Sequence, residues 1–382
     1  MITRRQALFL GLGTVGGLGA TFFGRLRAQQ LYQESLADPK RDFSVTGDLP
    51  LGDRALAKGL LYGAAVHTDY LADPDFESLF WHECKILVPE NELQSKNLRP
   101  TPDRFDFTKA DRLAQLAHEH DLQIRGHSLI WHILLPDWFT EVVNAQNAEQ
   151  FLINHIQTVA GRYAGQMHSW DVLNEAIETG DDRSDGLKKT PWLELLGPEY
   201  IELAFRTAAE ADPHALLVYN DYGLEYETRL GYAKRRATLR MLEQLKTKGV
   251  PIHALGIQSH LNAADVNFNP TGFRAFLQDV ASLDLKILVT ELDVTDRYLP
   301  VDTVIRDRII ASVYEDYLAV VLDEPATIGV LTWGLSDRHT WLSWSSPRED
   351  NLPVRPLPWD AQLNRKLAWN AIARAFDNAP SR

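Results

Sequence analysis

From about residue 60 onward the chain alternates between short apolar runs, each closed by a polar or aromatic residue, and longer segments with helical periodicity. The runs cover 60–67, 84–89, 122–127, 167–173, 216–219, 254–258, 285–290 and 328–333. Amphipathic segments lie between most of them, at 108–120, 148–163, 198–211, 232–248, 273–283 and 306–322. A proline-rich loop at 347–358 then leads to a closing helix at 359–376. Runs that are apolar throughout suit strands covered on both faces, and strand-helix alternation argues for a parallel sheet. Eight such strands are the number that closes a barrel, so the pattern predicts an α/β fold, a single (β/α)8 TIM barrel.

Two of the runs end in a way that suggests chemistry. Trp170-Asp171-Val172-Leu173-Asn174-Glu175-Ala176 is a strand-like run stopping at an amide and a carboxylate, and Lys286-Ile287-Leu288-Val289-Thr290-Glu291-Leu292-Asp293 stops at a carboxylate. Taken alone, Asn174 and Glu175 read equally well as the cap and first turn of a helix. The second stretch favours the barrel, because two strand-helix units fit between the pair and Glu175 and Glu291 then fall on strands four and seven. Polar residues at the carboxyl ends of barrel strands point into the active-site mouth. Two carboxylates facing across it are what glycosidic cleavage needs, one to protonate the leaving oxygen and one to attack or activate water. Other strands end on His67, Glu90 and Asn91, His127, Asn220, Gln258 and His260, and Trp333. Each could be structural by itself. Together they describe one polar basin rimmed by tryptophans, whose faces stack on pyranose rings.

The 382 residues are 45% hydrophobic, enough for one large domain. A net charge of −13 argues against a nucleic-acid partner, whose phosphates would be repelled, whereas a neutral polysaccharide meets no such penalty. The single cysteine, Cys84, has no partner for an internal disulfide and reads as a buried strand residue beside Ile86, Leu87 and Val88. No zinc pattern is present, and neither metal nor cofactor is expected. Residues 1–29 begin with Thr3-Arg4-Arg5-Gln6 and continue apolar and glycine-rich, the layout of a twin-arginine export signal, which implies a periplasmic or extracellular location. No small-x-small cleavage site precedes Gln29, so membrane anchoring through a retained leader stays open. Gly11-Leu12-Gly13-Thr14-Val15-Gly16 matches a dinucleotide fingerprint, but no strand precedes it and no acidic residue follows at the required distance. Residues 30–54 read as a linker or opening helix, and 55–378 as the catalytic domain of a monomer.

Seven motifs in order carry a resemblance. Val88-Pro89-Glu90-Asn91-Glu92, Arg125-Gly126-His127-Ser128-Leu129-Ile130-Trp131-His132, residues 170–176, Asn220-Asp221-Tyr222, Gly256-Ile257-Gln258-Ser259-His260, residues 289–293, and Trp333-Gly334 with Trp341 resemble those of glycoside hydrolase family 10 endo-β-1,4-xylanases, over roughly 63–375. The resemblance implies retaining hydrolysis of β-1,4-xylosidic bonds within xylan, with Glu175 as general acid/base and Glu291 as nucleophile. Glu175 must then start protonated and become ionised once the charge of Glu291 is consumed. Asn174 would hydrogen-bond the sugar 2-hydroxyl, and His260, held by Asp293, would orient Glu291. Glu90, Asn91, His127, Trp131, Gln258, Trp333 and Trp341 would bind sugars on the nonreducing side and around the cut, and Tyr222 would face the leaving-group sugar. Two departures stand out. Gln94 and Ser95 replace the family's usual lysine and tryptophan, with Lys96 nearby, and Gly223 replaces an asparagine. The competing readings are a retaining β-glycanase acting on another β-glycan, a metal-dependent barrel hydrolase using His67, His127, His132 and His260, and a non-catalytic sugar-binding barrel. The last two leave the motif glutamates without a purpose.

Overall fold

The computed structural model describes residues 30–382, and the leader read at 1–29 lies outside them. Among the described residues the strands are β1 (Leu61–Val66), β2 (Ile86–Pro89), β3 (Gln123–Ile130), β4 (Met167–Asn174), β5 (Leu216–Asp221), β6 (Ala254–Ile257), β7 (His260–Asn262), β8 (Lys286–Thr295) and β9 (Thr327–Thr332). Every ladder is parallel. The hydrogen-bonded order runs β6-β5-β4-β3-β2-β1-β9-β8, and β6 pairs back onto β8. That pairing closes an eight-stranded parallel barrel, as the alternation predicts. The short β7 lies outside the closed set and pairs only with the outer end of β8, aligning His260 with Asp293. The expected run 254–258 matches β6, and beyond it Ser259, with a φ of 65°, turns the chain into β7.

The principal helices are α1 (Leu51–Leu56), α2 (Pro74–Glu83), α3 (Thr108–Glu119), α4 (Ala148–Arg162), α5 (Tyr200–Ala211), α6 (Arg229–Thr247), α7 (Pro270–Ser282), α8 (Thr303–Val321) and α9 (Leu367–Asn378). Their starts follow from side-chain caps: Asp73, Thr228, Asn269 and Asp302 accept from the free N–H groups of the first turns of α2, α6, α7 and α8. Helix α2 has no counterpart in the apolar pattern. The closing helix begins at Leu367 rather than 359. Trp359 uses its N–H on the Leu335 carbonyl and its own carbonyl on the Asp337 N–H, so it ties down the loop after β9 and is not free to start a helix.

Two further expectations need correction. The stretch read as a linker or opening helix is helical at 30–36 and from Leu51, and it is packed onto the barrel rather than linking anything to it. Leu36 and Phe43 are buried, the Leu36 carbonyl accepts from Ser312 Oγ at 2.7 Å, the Phe43 carbonyl accepts from Asn370 Nδ2 at 2.9 Å, and Arg54 pairs with Asp377 at 2.6 Å. Residues 36–54 thus join the outer layer beside α8 and α9. Cys84 is buried but lies at the end of α2, its N–H on the Phe80 carbonyl, one residue short of where the chain turns into β2.

Close strand contact fixes one glycine. Gly126 on β3 lies opposite Trp170 on β4, and a Cβ there would come within 1.9 Å of the indole Cε3. Trp170 is fully buried and donates its Nε1 to Asp212 at 3.0 Å, so it has no free direction in which to yield. Gly126→Ala is expected to destabilise the fold by about 1–3 kcal/mol or more, the range for overpacked cores. Thermal melting checks this, and an unchanged midpoint would mean that Trp170 repacks without cost.

Candidate active site

Glu175 follows the last residue of β4 and takes a left-handed conformation, φ 59°. For a side chain other than glycine this costs on the order of 1–3 kcal/mol and persists only where neighbours dictate it. Here the Glu175 N–H donates to the Asn220 carbonyl at 2.9 Å, extending the β4–β5 ladder past its end. Glu291 lies inside β8 and not at its end, since Leu292 and Val294 continue the buried alternation. Its N–H donates to the Gln258 carbonyl at 3.0 Å.

The two carboxylates sit at opposite ends of one chain of side-chain amides. Asn220 Nδ2 donates to Glu291 Oε1 at 2.7 Å and to Asn174 Oδ1 at 2.9 Å, and Thr290 Oγ1 secures the Asn220 oxygen at 2.7 Å. Gln258 Nε2 donates to Glu175 Oε1 at 3.1 Å and lies 3.4 Å from Asn174 Oδ1. All five residues of this chain are buried. In so dry a setting each contact is stronger than it would be in water, and an unpaired group would be costly.

Histidines hold the flanks. His260 places Nε2 3.2 Å from Glu291 Oε2 and Nδ1 3.0 Å from Asp293 Oδ1, while Trp341 Nε1 donates to Asp293 Oδ2 at 2.7 Å. Glu291 and Asp293 are two apart on one strand and share a face, which lets one ring reach both. Burial disfavours the imidazolium, but the adjoining Asp293 and Glu291 outweigh it and hold His260 well above its ordinary value. It therefore donates to both carboxylates. His127 bonds Asp171 through Nδ1 at 2.8 Å, and Arg125 bonds the other oxygen of that carboxylate. Burial again opposes charge on His127, and the Asp171 hydrogen bond with the field of Glu291 raises it overall. The His127 ring stands edge-on to Trp333, with centroids 5.3 Å apart, and 6.1 Å from Trp131.

At the end of β2, Glu90 is half-buried, and burial with the charge of Glu92 pushes it up to about 7. The Asn91 carbonyl accepts from Asn97 Nδ2 at 2.8 Å and shapes the turn that follows. Gln94 is buried and turned onto the end of β3, with Nε2 and Oε1 each about 3.5 Å from groups of His127 and Ser128. Lys96 points elsewhere, to Asp137 at 2.6 Å, with half of its side chain in solvent. On the other side of Glu175, the Tyr222 hydroxyl donates to Glu178 at 3.2 Å and accepts from Lys188 Nζ at 3.3 Å. Lys234 Nζ stands 3.5 Å from the centroid of the Tyr222 ring.

The sequence-derived site residues thus gather at one end of the barrel. Sequence reasoning placed Asn220 in the polar basin but not as the bridge of the carboxylate network, and gave no role to Asp171, which holds His127, or to Lys188, 3.6 Å from Glu175 Oε2. Asn220 and Asp171 stood in the quoted motifs. Lys188 lies in a loop with no periodicity to mark it. Among the described residues no group of three or more His, Cys, Asp or Glu side chains is arranged to hold a metal ion, and no helix is long and apolar enough to cross a membrane.

The model of glycosyl hydrolase family 10 matches residues 51–375. The chain belongs to this family. Endo-1,4-beta-xylanase B of Paenibacillus barcinonensis is 33% identical over 352 residues, covering 86% of this chain and 100% of the relative. Endo-1,4-beta-xylanase A of Caldicellulosiruptor saccharolyticus is 33% identical over 332 residues, covering 82% and 92%. Some relatives are longer: the chain spans 44% of the endo-1,4-beta-xylanase A of Caldicellulosiruptor sp. (strain Rt8B.4), at 33% identity over 77% of its own length. Among solved structures, xylanase 10B from Thermotoga petrophila RKU-1 in complex with xylobiose superposes with a TM-score of 0.79 at 30% identity, covering 87% of this chain and 99% of the other. As a family 10 member the chain is a glycoside hydrolase, and its barrel is that of the solved xylanases it superposes on.

Proposed function

We propose that this family 10 hydrolase cuts internal β-1,4-xylosidic bonds of xylan with retention of configuration. Glu291 attacks the anomeric carbon while Glu175 protonates the departing oxygen; water activated by Glu175 then displaces Glu291. The observation that carries the reading is the amide chain from Glu291 through Asn220, Asn174 and Gln258 to Glu175, which turns both carboxylates to one basin. Asn220 and His260 each hold one oxygen of Glu291, leaving its lone pairs aimed and its rotation stopped. The xylanase names of the relatives support the choice of polymer. Export through the leader and action as a monomer complete the reading, testable by cell fractionation and by sedimentation of the purified protein.

Product analysis on xylan, arabinoxylan, mixed-linkage glucan and an aryl xylobioside tests it, with proton NMR to follow the first anomer released. Xylo-oligosaccharides of mixed length released as the β-anomer are expected, and a bound glycosyl-enzyme should show the two carboxyl groups about 5–5.5 Å apart. The α-anomer as first product would overturn retention, and glucan cleaved in preference to xylan would favour the reading as another β-glycanase.

Gln94 bears on the same question. Lys96 is paired with Asp137, so it does not supply the ammonium that the family resemblance leads one to expect here. A bond to a charged group is worth about 1.5–3 kcal/mol. Gln94→Lys is therefore expected to raise kcat/KM on linear xylo-oligosaccharides by about tenfold or more, with a single-sugar aryl xyloside little changed. Lys96→Ala should leave both substrates near the parent value. No gain from the first variant would mean that this subsite does not bind xylose through position 94.

A further inference from the structure

The loop after β4 folds back on itself and brings a cation to the acid/base. Ile177 and Leu187 form an antiparallel bridge, the Lys188 N–H donates to the Ala176 carbonyl at 2.8 Å, and Thr190 then caps the helix Pro191–Leu196. The backbone of Lys188 is thereby fixed one strand-width from Glu175. Its ammonium is 3.6 Å from Glu175 Oε2, with about a tenth of each side chain exposed, and hydrogen-bonds the Tyr222 hydroxyl instead.

That spacing exceeds the roughly 2.7–2.9 Å of a charge-assisted hydrogen bond. Lys188 therefore sets a positive charge beside Glu175 without donating a hydrogen bond to it. The other groups around Glu175 do not duplicate it. His132 is pushed down to about 4 by burial and by Lys188, and so stands neutral. Lys234 is matched by Asp221 at 2.7 Å. Glu178 accepts from the Tyr222 hydroxyl, which in turn accepts from Lys188, and Glu291 lies across the amide chain.

We propose that Lys188 is a positioning residue for the second chemical step, its ammonium holding Glu175 in the carboxylate form that must accept a proton from the attacking water. In that step the water oxygen bonds to the anomeric carbon, its proton passes to Glu175, and the bond from the sugar to Glu291 breaks, returning Glu291 as a carboxylate. Glu175 is left protonated, as the next first step requires. The looser spacing allows this reset, where a tight ion pair would hold the carboxylate and stall it. The proposal rests on the double-displacement reading above.

The test uses the full chain, Lys188→Met and Lys188→Arg, and 2,4-dinitrophenyl xylobioside, whose departure needs no proton so that the second step limits turnover. For Lys188→Met, kcat at pH values below the acid limb should fall about tenfold with KM falling alongside, since the glycosyl-enzyme accumulates. The pre-steady-state burst should stay near one per active site, which also counts the folded enzyme. The acid limb of kcat should move about one pH unit higher, the direction expected when a nearby opposite charge is removed. Lys188→Arg should restore most of the rate and the limb. A rate loss that moves neither limb nor KM, or no change at all, would overturn the proposal. Inversion at the anomeric carbon, read by NMR on the parent enzyme, would instead overturn double displacement itself.

Discussion

Glu291→Ala should abolish turnover on every substrate, polymer and activated aryl xylobioside alike, by on the order of 10⁵–10⁶-fold, as removing a covalent nucleophile does elsewhere. A good leaving group cannot rescue it, because the missing partner is the one that forms the new bond. The fold should survive. Asn220 keeps its contact with Asn174, and His260 keeps Asp293. A melting curve close to the parent's separates lost chemistry from lost structure. Azide supplies a sharper readout, since a small anion placed in the vacated space attacks once from the face Glu291 occupied. The product should be the α-glycosyl azide, inverted relative to the β-linked substrate. Steady turnover without azide, or a β-azide, would remove Glu291 from the role.

Why Glu291 could be found in the sequence at all follows from how a barrel buries its strands. Strands covered on both faces become apolar runs, and a carboxylate at the limit of such a run is conspicuous. The same logic explains the miss. β8 continues to Thr295 because β7 supplies a second neighbour beyond the closed barrel, so the polar residues that appeared to end the strand are the inward-facing alternate positions of a longer one. The pairing of His260 with Asp293 is a register between strands and leaves no trace in the apolar pattern, so it was legible only through the family resemblance. Helix α2 escaped because its start rests on a single cap and a proline, Asp73 and Pro74, and its inward face is Phe76, Phe80 and a carboxylate, Glu83, which breaks the apolar stripe. Trp359 was expected to open the closing helix, yet its backbone is committed to the loop after β9. Lys188 lies where tertiary folding alone decides what meets what.

Glu175→Ala should divide substrates by their leaving groups. Xylan and unactivated oligosaccharides leave as poor alkoxides, so loss of the proton donor should cost about 10²–10⁴-fold in kcat/KM. An activated aryl xylobioside needs no protonation, and its kcat/KM, which reports the first step, should stay within a few-fold of the parent. Its kcat should nonetheless collapse, because water then attacks the glycosyl-enzyme without a base, and KM should fall with it as the intermediate accumulates. The neighbouring contacts make the variant interpretable. Gln258 and Asn174 remain linked when Glu175 is removed, and Lys188 keeps its hydrogen bond to Tyr222. Azide should again discriminate, now replacing water in the second step, attacking from the face opposite Glu291 and giving the β-glycosyl azide. The two variants would thus yield opposite anomers from one substrate, an outcome that changes in stability or affinity cannot imitate. Equal losses of kcat/KM on activated and unactivated substrates would show that Glu175 supports the site without transferring a proton, and would leave the leaving-group oxygen in need of another acid.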